Sequence, residues 1–496
     1  MFEPTIEPMS PRRVLTLVIA GFMLALPASA QASRVLVMDA DGAVRARQDP
    51  FVATAPPRER QAAPATSAAF PRATARPRTP KVLRSLLATG QIDQPTHDRA
   101  LAAFRRASSL SRSLSGARRV AIRGVVADLE GMAARNAVRA DRLPALVETL
   151  ERNSSWWSTG PLLSAGARVG FAGSGLVWQH YPGHGIQIQW LGTWGKANGL
   201  WGAKTKDAEF ENLVAESVSL AGDRAGGIGF EYLFPFGGGN PPWVSGLAQG
   251  TALTALVRAG LRLRDRTWFD AARQAVGIFR VAAPEGVAQK TANGTHYLQY
   301  SYAPRLHILN GFIQSLNGLF DYAKILNDEE GRALFAAGRE RAAYELPRYD
   351  TGGWSRYSEY TESSLHYHDV LRGFVAALCT RLQRANQPDD PFCHYASDFT
   401  LDLDRGPVLT FASVQGTPRA GRLARVRFSI DKPGTVTMVI RRGTFTHRAV
   451  VPVRSGAHSF GWRPPSAGSY AISLSATDYA GNSSAATSDA TVRRRR

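Results

Sequence analysis

The apolar residues change period once along this 496-residue chain, and that change constrains the fold more than any other feature. Between about residues 245 and 400 they recur at steps of three and four: Leu253, Leu256, Val257 and Leu261; then Leu309, Phe312, Ile313, Leu316, Phe320 and Ala323; then Leu371, Phe374, Leu378 and Leu382. Each set lays one apolar stripe along a helix. From about Gly406 the step becomes two, in Val426-Arg427-Phe428-Ser429-Ile430, Thr435 to Ile440 and Tyr470 to Ser475, with turn signals at Lys432-Pro433-Gly434 and Ala480-Gly481-Asn482 between them. That is the pattern of strands with one buried face. Helical and strand stripes need separate cores, so the chain reads as multidomain α+β. Successive amphipathic helices form an α/α toroid over residues 160–404, with rim loops building a cleft. A small immunoglobulin-like β-sandwich follows over 405–492, and a basic tail, 493–496, ends the chain.

The segments before the toroid helices are read in the same way. Arg12 and Arg13, the apolar run Val14 to Leu26 and Ala28-Ser29-Ala30 have the layout of an export signal over 1–30, with an uncleaved anchor as the alternative. No other stretch is long and apolar enough to span a bilayer, so no integral membrane segment is expected after cleavage, and the location is secreted or cell-envelope associated. Residues 31–80, rich in Ala, Pro, Arg and Thr, read as a disordered linker. Residues 81–159 read as helical. The Gly- and aromatic-rich stretch 160–240 suggests short strands and irregular loops, and Pro235 to Trp243 is a cluster of breakers.

The formal charge of +20 favours an acidic partner, although codon bias toward Arg, Ala and Gly accounts for the same surplus. Nucleic acid is the least favoured partner, because the arginines are scattered and no recognition motif accompanies them. The two cysteines, Cys379 and Cys393, are expected to pair if the chain is exported, tying a helix end to the following loop. Two buried thiols are the alternative, and neither has zinc-site neighbours.

Three tyrosines stand on short loops: Tyr300 in Tyr300-Ser301-Tyr302-Ala303-Pro304, Tyr357 after Tyr349-Asp350-Thr351-Gly352-Gly353, and Tyr367 in His366-Tyr367-His368-Asp369. A phenol beside a helix N-terminus or a cation is favoured as phenolate and can carry a proton. Tyr367 is expected just before a helix starting near Asp369, and Tyr300 just before one that Pro304 starts. Any one such tyrosine more often only packs its ring and bonds a backbone group. His368 is as much a structural hydrogen-bonder as an acid. Asn310, Gln314, Asn317 and Asp321 share a helix face that lines either the cleft or solvent, and Gln187 and Gln189 either touch sugar hydroxyls or are polar positions on a strand surface.

At these loops the chain resembles the catalytic C-terminal domain of the D-glucuronyl C5-epimerase family. The residues that carry the resemblance are Ala248-Gln249-Gly250 with Leu256-Val257-Arg258-Ala259, Leu309-Asn310-Gly311-Phe312 with Ser315-Leu316 and Gly318-Leu319, Tyr349-Asp350-Thr351-Gly352, and Tyr367-His368, over about residues 240–385. The resemblance implies inversion at C5 of glucuronate in a heparosan-type polymer, giving iduronate. It implies catalytic roles for Tyr300, Tyr357 and Tyr367 and a substrate contact at Asn310. Two positions depart from the family: Gln299 stands where a glutamate precedes the first tyrosine, and Tyr360 stands where an arginine follows the second. Glutamine cannot exchange a proton as glutamate does. Arg305 or Arg356 is the expected replacement cation, with Gln299 and His368 as further substrate contacts.

The chemistry itself sets the same demands. A uronate C5–H is acidic because it adjoins a carboxylate, so its removal needs a base, a stabiliser for the charge that builds there, and an acid on the opposite ring face. No metal or redox cofactor is required. A polysaccharide lyase starts with the same abstraction, and a non-catalytic secreted glycan-binding protein is the reading from another class. A glycoside hydrolase would need paired carboxylates, which Asp350, Glu359, Glu362 and Asp369 do not obviously form.

Overall fold

Ten long helices, a five-stranded sheet and a strand-only C-terminal unit make up the computed structural model, which describes residues 33–53 and 77–495. The expected signal segment and Arg496 lie outside the described residues. Among those residues no helix is long and apolar enough to cross a membrane.

Helices Gln94–Ser113, Gly116–Ala134 and Leu143–Thr159 pack as the expected helical region. Asp93 starts the first of them, its carboxylate accepting Thr96 N–H at 2.9 Å. The stretch read as linker is partly structured. Strands Ser33–Met38 and Val44–Asp49 form a hairpin, and Ser33–Met38 runs parallel to Arg168–Phe171. With Trp178–Tyr181 and Gly185–Ile188 they make the five-stranded sheet.

The centre is helix Gly246–Leu263 against helix Leu309–Leu326, both buried nearly all round. The two backbones approach so closely that a Cβ on Gly318 would lie 2.1 Å from Gly250 O, so only glycine fits there. Helices Glu329–Tyr349, Leu365–Arg384 and Phe392–Asp404 complete the surround. Cys379 and Cys393 are disulfide-bonded and join the last two of these helices, not a helix and a loop.

The polar stripe on Leu309–Leu326 faces neighbouring helices. Asp321 takes both Arg381 Nε and Nη2 at 2.8 Å, and Asn317 Nδ2 donates to Phe374 O at 3.1 Å. Asp321 and Asn317 are thus committed to the interior, with Asn317 Oδ1 left without a protein partner, and Asn310, at the helix start, is the member of the stripe next to the loops.

Beyond residue 405 a three-stranded sheet (Leu409–Val414, Ala424–Ile430, Gly456–Trp462) faces a four-stranded one ordered Phe445–Val453, Gly434–Arg442, Gly468–Asp478, Ser483–Val492. Val426, Phe428, Ile440, Trp462, Tyr470 and Leu474 fill one core between them. This unit is docked on the helical body. Lys432, fully buried, bonds Asp402 O, Arg405 O and the carboxylate of Asp478. Ser455 donates through both its backbone N–H, at 2.9 Å, and its hydroxyl to Glu362.

Candidate active site

Tyr300 follows strand Gly294–Tyr297 and precedes helix Leu309–Leu326 by a turn in which Pro304 and Arg305 are exposed. It is therefore not at a helix N-terminus, contrary to expectation, because the helix starts at Leu309 and not at Pro304. Tyr357 lies on the hairpin Arg356–Ser358/Thr361–Glu362, at a register shift between the pairs Arg356–Glu362 and Ser358–Thr361. A bulge of this kind leaves one residue without a cross-strand partner and re-aims its side chain. Tyr367 lies in the first turn of helix Leu365–Arg384, where the Ser364 hydroxyl caps its backbone N–H at 3.3 Å.

These elements bring the three phenols together. Tyr300, Tyr357 and the Gln299 amide are neighbours. The Tyr357 and Tyr367 rings lie 4.5 Å apart. Gln299 is held against Gly311, where a Cβ would stand 2.5 Å from Gln299 Oε1. That oxygen has no protein partner. Burial raises the pKa of Tyr300 and pushes that of Tyr357 far above the usual phenol value.

An aromatic wall continues from Tyr300. Trp243 lies 5.7 Å from it and stacks on Tyr232 at 4.1 Å, and Tyr302 stacks on Tyr300 at 5.6 Å. Phe236 stands between Tyr300, at 5.9 Å, and Tyr181, at 6.1 Å. Behind Tyr181 and Tyr232 is Arg168, 8% exposed. Its Nε and Nη1 have no hydrogen-bond partner, and it forms no ion pair among the described residues. Burial lowers its pKa, while Tyr181 and Tyr232 work in the opposite direction. A buried guanidinium without an anion is costly.

The other expected contacts are placed as follows. Arg305 is exposed in its turn and Arg356 half-buried in the hairpin, and Arg168 is the cation that the fold buries among the tyrosines. Asn310 is buried and its Oδ1 accepts Gly311 N–H at 2.8 Å. His368 is fully buried behind the loop and not in the cleft. It stacks on Trp354 at 3.9 Å, bonds Ser355 through Nδ1, and donates Nε2–H to Phe399 O at 2.9 Å. Both nitrogens are occupied and burial lowers its pKa to about 4, so it is neutral scaffold. Gln187 donates to His184 O at 2.6 Å and Gln189 caps helix Trp190–Gly202 at Gly192 N, so both are committed internally.

Two further polar clusters had no sequence signal. His184 Nδ1 meets Asp128 at 2.9 Å, and burial raises the Asp128 pKa to about 6. His296, His307 and Glu345 place donor atoms within 4.8 Å of one another. Arg341 Nε already donates to Glu345 at 2.6 Å and His296 Nδ1 meets it at 2.9 Å, so this carboxylate has its cation. The cluster anchors the Tyr357 hairpin: His307 Nδ1 also lies 3.4 Å from Glu359, and Tyr349 OH donates to His307 O at 3.0 Å.

Residues 224–386 match the model of the family described as the D-glucuronyl C5-epimerase C-terminus. A Caenorhabditis elegans D-glucuronyl C5-epimerase is 32% identical over 130 residues, 24% of this chain and 21% of that protein. An uncharacterised Methanocaldococcus jannaschii protein is 26% identical over 133 residues, 26% of this chain and 43% of that protein. The chain thus matches less than half the length of each of these relatives. Among solved structures, a sugar epimerase from a ruminal bacterium aligns at 10% identity and TM-score 0.35, covering 55% of this chain and 72% of that one. The endo-beta-1,4-glucanase CMCax of Acetobacter xylinum aligns at 13% identity and TM-score 0.30, covering 43% and 72%. Structural likenesses of that size carry no argument here. Residues 224–386, which hold Tyr300, Tyr357 and Tyr367, are thus similar to the C-terminal region of the D-glucuronyl C5-epimerase family.

Proposed function

We propose that the protein is a secreted polysaccharide uronate C5-epimerase that converts glucuronate to iduronate within a heparosan-type chain. The observation that carries this reading is the grouping of Tyr300, Tyr357 and Tyr367, with the buried guanidinium of Arg168 behind the neighbouring Tyr181. The catalytic helices are taken as an α/α toroid and the C-terminal unit as an immunoglobulin-like sandwich.

The Tyr300 oxygen, as phenolate beside the Gln299 amide, takes the C5 proton. The C5–H electron pair moves into the carboxylate as an enediolate. Arg168 holds the charge that develops there, in a dry site where a fixed cation acts strongly. A proton returns to the opposite face of C5 from the Tyr357/Tyr367 pair, completing the inversion with no bond to O4 broken. Gln299 cannot carry a proton, but its N–H can stabilise phenolate, which is the role left to it by the departure from the family's glutamate.

Incubation with heparosan in deuterated water tests this reading. Deuterium at C5 and iduronate signals, with chain length unchanged, are expected. Chain shortening with an ultraviolet-absorbing double bond would identify a lyase instead, and binding without exchange a non-catalytic glycan-binding protein.

A further inference from the structure

Between residues 406 and 496 the chain carries 14 Lys and Arg against three Asp and no Glu, which is +11 of its +20 formal charge. The helical body pairs many of its arginines with acids. Arg99 pairs with Glu151, Arg142 with Glu231, Arg280 with Glu330 and Arg381 with Asp321. The C-terminal unit does not. Two of its three acids are used at the docking interface: Asp478 against Lys432, and Asp431 accepting Val408 N–H at 2.7 Å.

Six of the unpaired arginines gather at one corner. Backbone bonds join Arg493 N to Pro418 O at 2.8 Å, Ala420 N to Arg493 O at 3.0 Å and Gly421 N to Pro464 O at 2.8 Å. These ties collect Arg419, Arg422, Arg425, Arg463, Arg493 and Arg494 from three chain segments. None of the six forms an ion pair among the described residues, and all but the half-buried Arg419 are exposed. A groove of about 440 Å³ between strands Leu409–Val414 and Ser483–Val492 reaches the same corner at Pro418. Ser413, Thr417, Thr487 and Thr491 supply hydroxyls along it, and Asp489 is its single acid.

We infer that this corner and groove form a second binding site, which takes a strand of carboxylate-bearing polysaccharide. The arginines meet carboxylates and the hydroxyl-lined groove meets sugar hydroxyls. The inference rests on the proposed uronan substrate. The docking contacts through Lys432 and Ser455 fix the site relative to the hairpin that carries Tyr357, so it acts as a hold on the polymer outside the reacting residue.

The test compares the full chain with its variant Arg419→Ser, Arg422→Ser, Arg425→Ser, Arg463→Ser, with heparosan polysaccharide as the probe. The Kd of the variant is expected to rise about tenfold, with a shallower dependence of log Kd on log salt. Its melting temperature should be unchanged, because the altered side chains make no ion pair. Equal heparosan binding by both proteins would overturn the inference, as would tighter binding of a short DNA duplex than of heparosan by the wild type. Binding that depends on these arginines in a protein with no C5 exchange would remove the epimerase reading and uphold this site.

Discussion

Tyr300 and Tyr357 set their phenols side by side, and burial raises the pKa of Tyr357 further than that of Tyr300. Tyr300 is the one favoured as phenolate, yet burial still holds its pKa above the ordinary phenol value. A base with such a pKa is protonated through neutral pH, and its active fraction grows about tenfold per pH unit below that pKa. The logarithm of kcat/KM should therefore climb with a slope near one from neutral pH to the alkaline stability limit. A plateau starting near neutrality would assign the base to another group.

Arg168 costs stability where it stands, since a buried cation lacks an anion until substrate arrives. Arg168→Met should lower kcat/KM by about two to three orders of magnitude while the melting temperature stays level or rises. Steady-state kinetics with differential scanning calorimetry check both halves. A large loss of stability with kinetics intact would make Arg168 structural.

His368 gives a pH dependence of stability with a definite sign. Its pKa is lowered from 6.5 to about 4 by burial between Trp354 and Phe399. The folded state keeps the ring neutral, so this stability is fully present above pH 6.5 and is lost as pH falls from 6.5 toward 4. The loss is about 3 kcal/mol. Urea unfolding across that window should show it, and His368→Gln should flatten the curve.

Lys432 neutralises the buried Asp478 and caps the carbonyls of Asp402 and Arg405 at the end of helix Phe392–Asp404. Lys432→Met leaves that carboxylate unpaired, and should cost about 3–5 kcal/mol. Because Ser455 of the same unit holds Glu362, hydrogen exchange should rise across residues 352–362. Unchanged protection there would separate the C-terminal unit from the Tyr357 hairpin.

Much of the architecture was legible in local pattern. The stripes at Leu309–Ala323 and Leu371–Leu382 mark real helices, and the alternation from Val426 onward marks real strands, because in each the period is set by one buried face. Strands Ser33–Met38 and Val44–Asp49 were missed. They are short, Val44–Asp49 is mostly exposed, and the parallel partner of Ser33–Met38 begins at Arg168, too far along the chain for a local signal. Arg168 was missed for a related reason: nothing in Gly166-Ala167-Arg168-Val169 says that the strand turns a charge inward. Tyr357 lies on a strand and Tyr367 inside a first helical turn, not on the expected loops, because helix Leu365–Arg384 starts ahead of Asp369. The internal commitments of His368 and Gln187 were not legible, since both depend on partners that only tertiary packing supplies.

Proton exchange at C5 is the measurement that tests the tyrosine mechanism most directly. With heparosan in deuterated water, wild-type protein should place deuterium at C5 of the polymer, and Tyr300→Phe, which keeps the ring and removes the acceptor, should reduce the rate at least about a hundredfold. Exchange at the wild-type rate in Tyr300→Phe would contradict it.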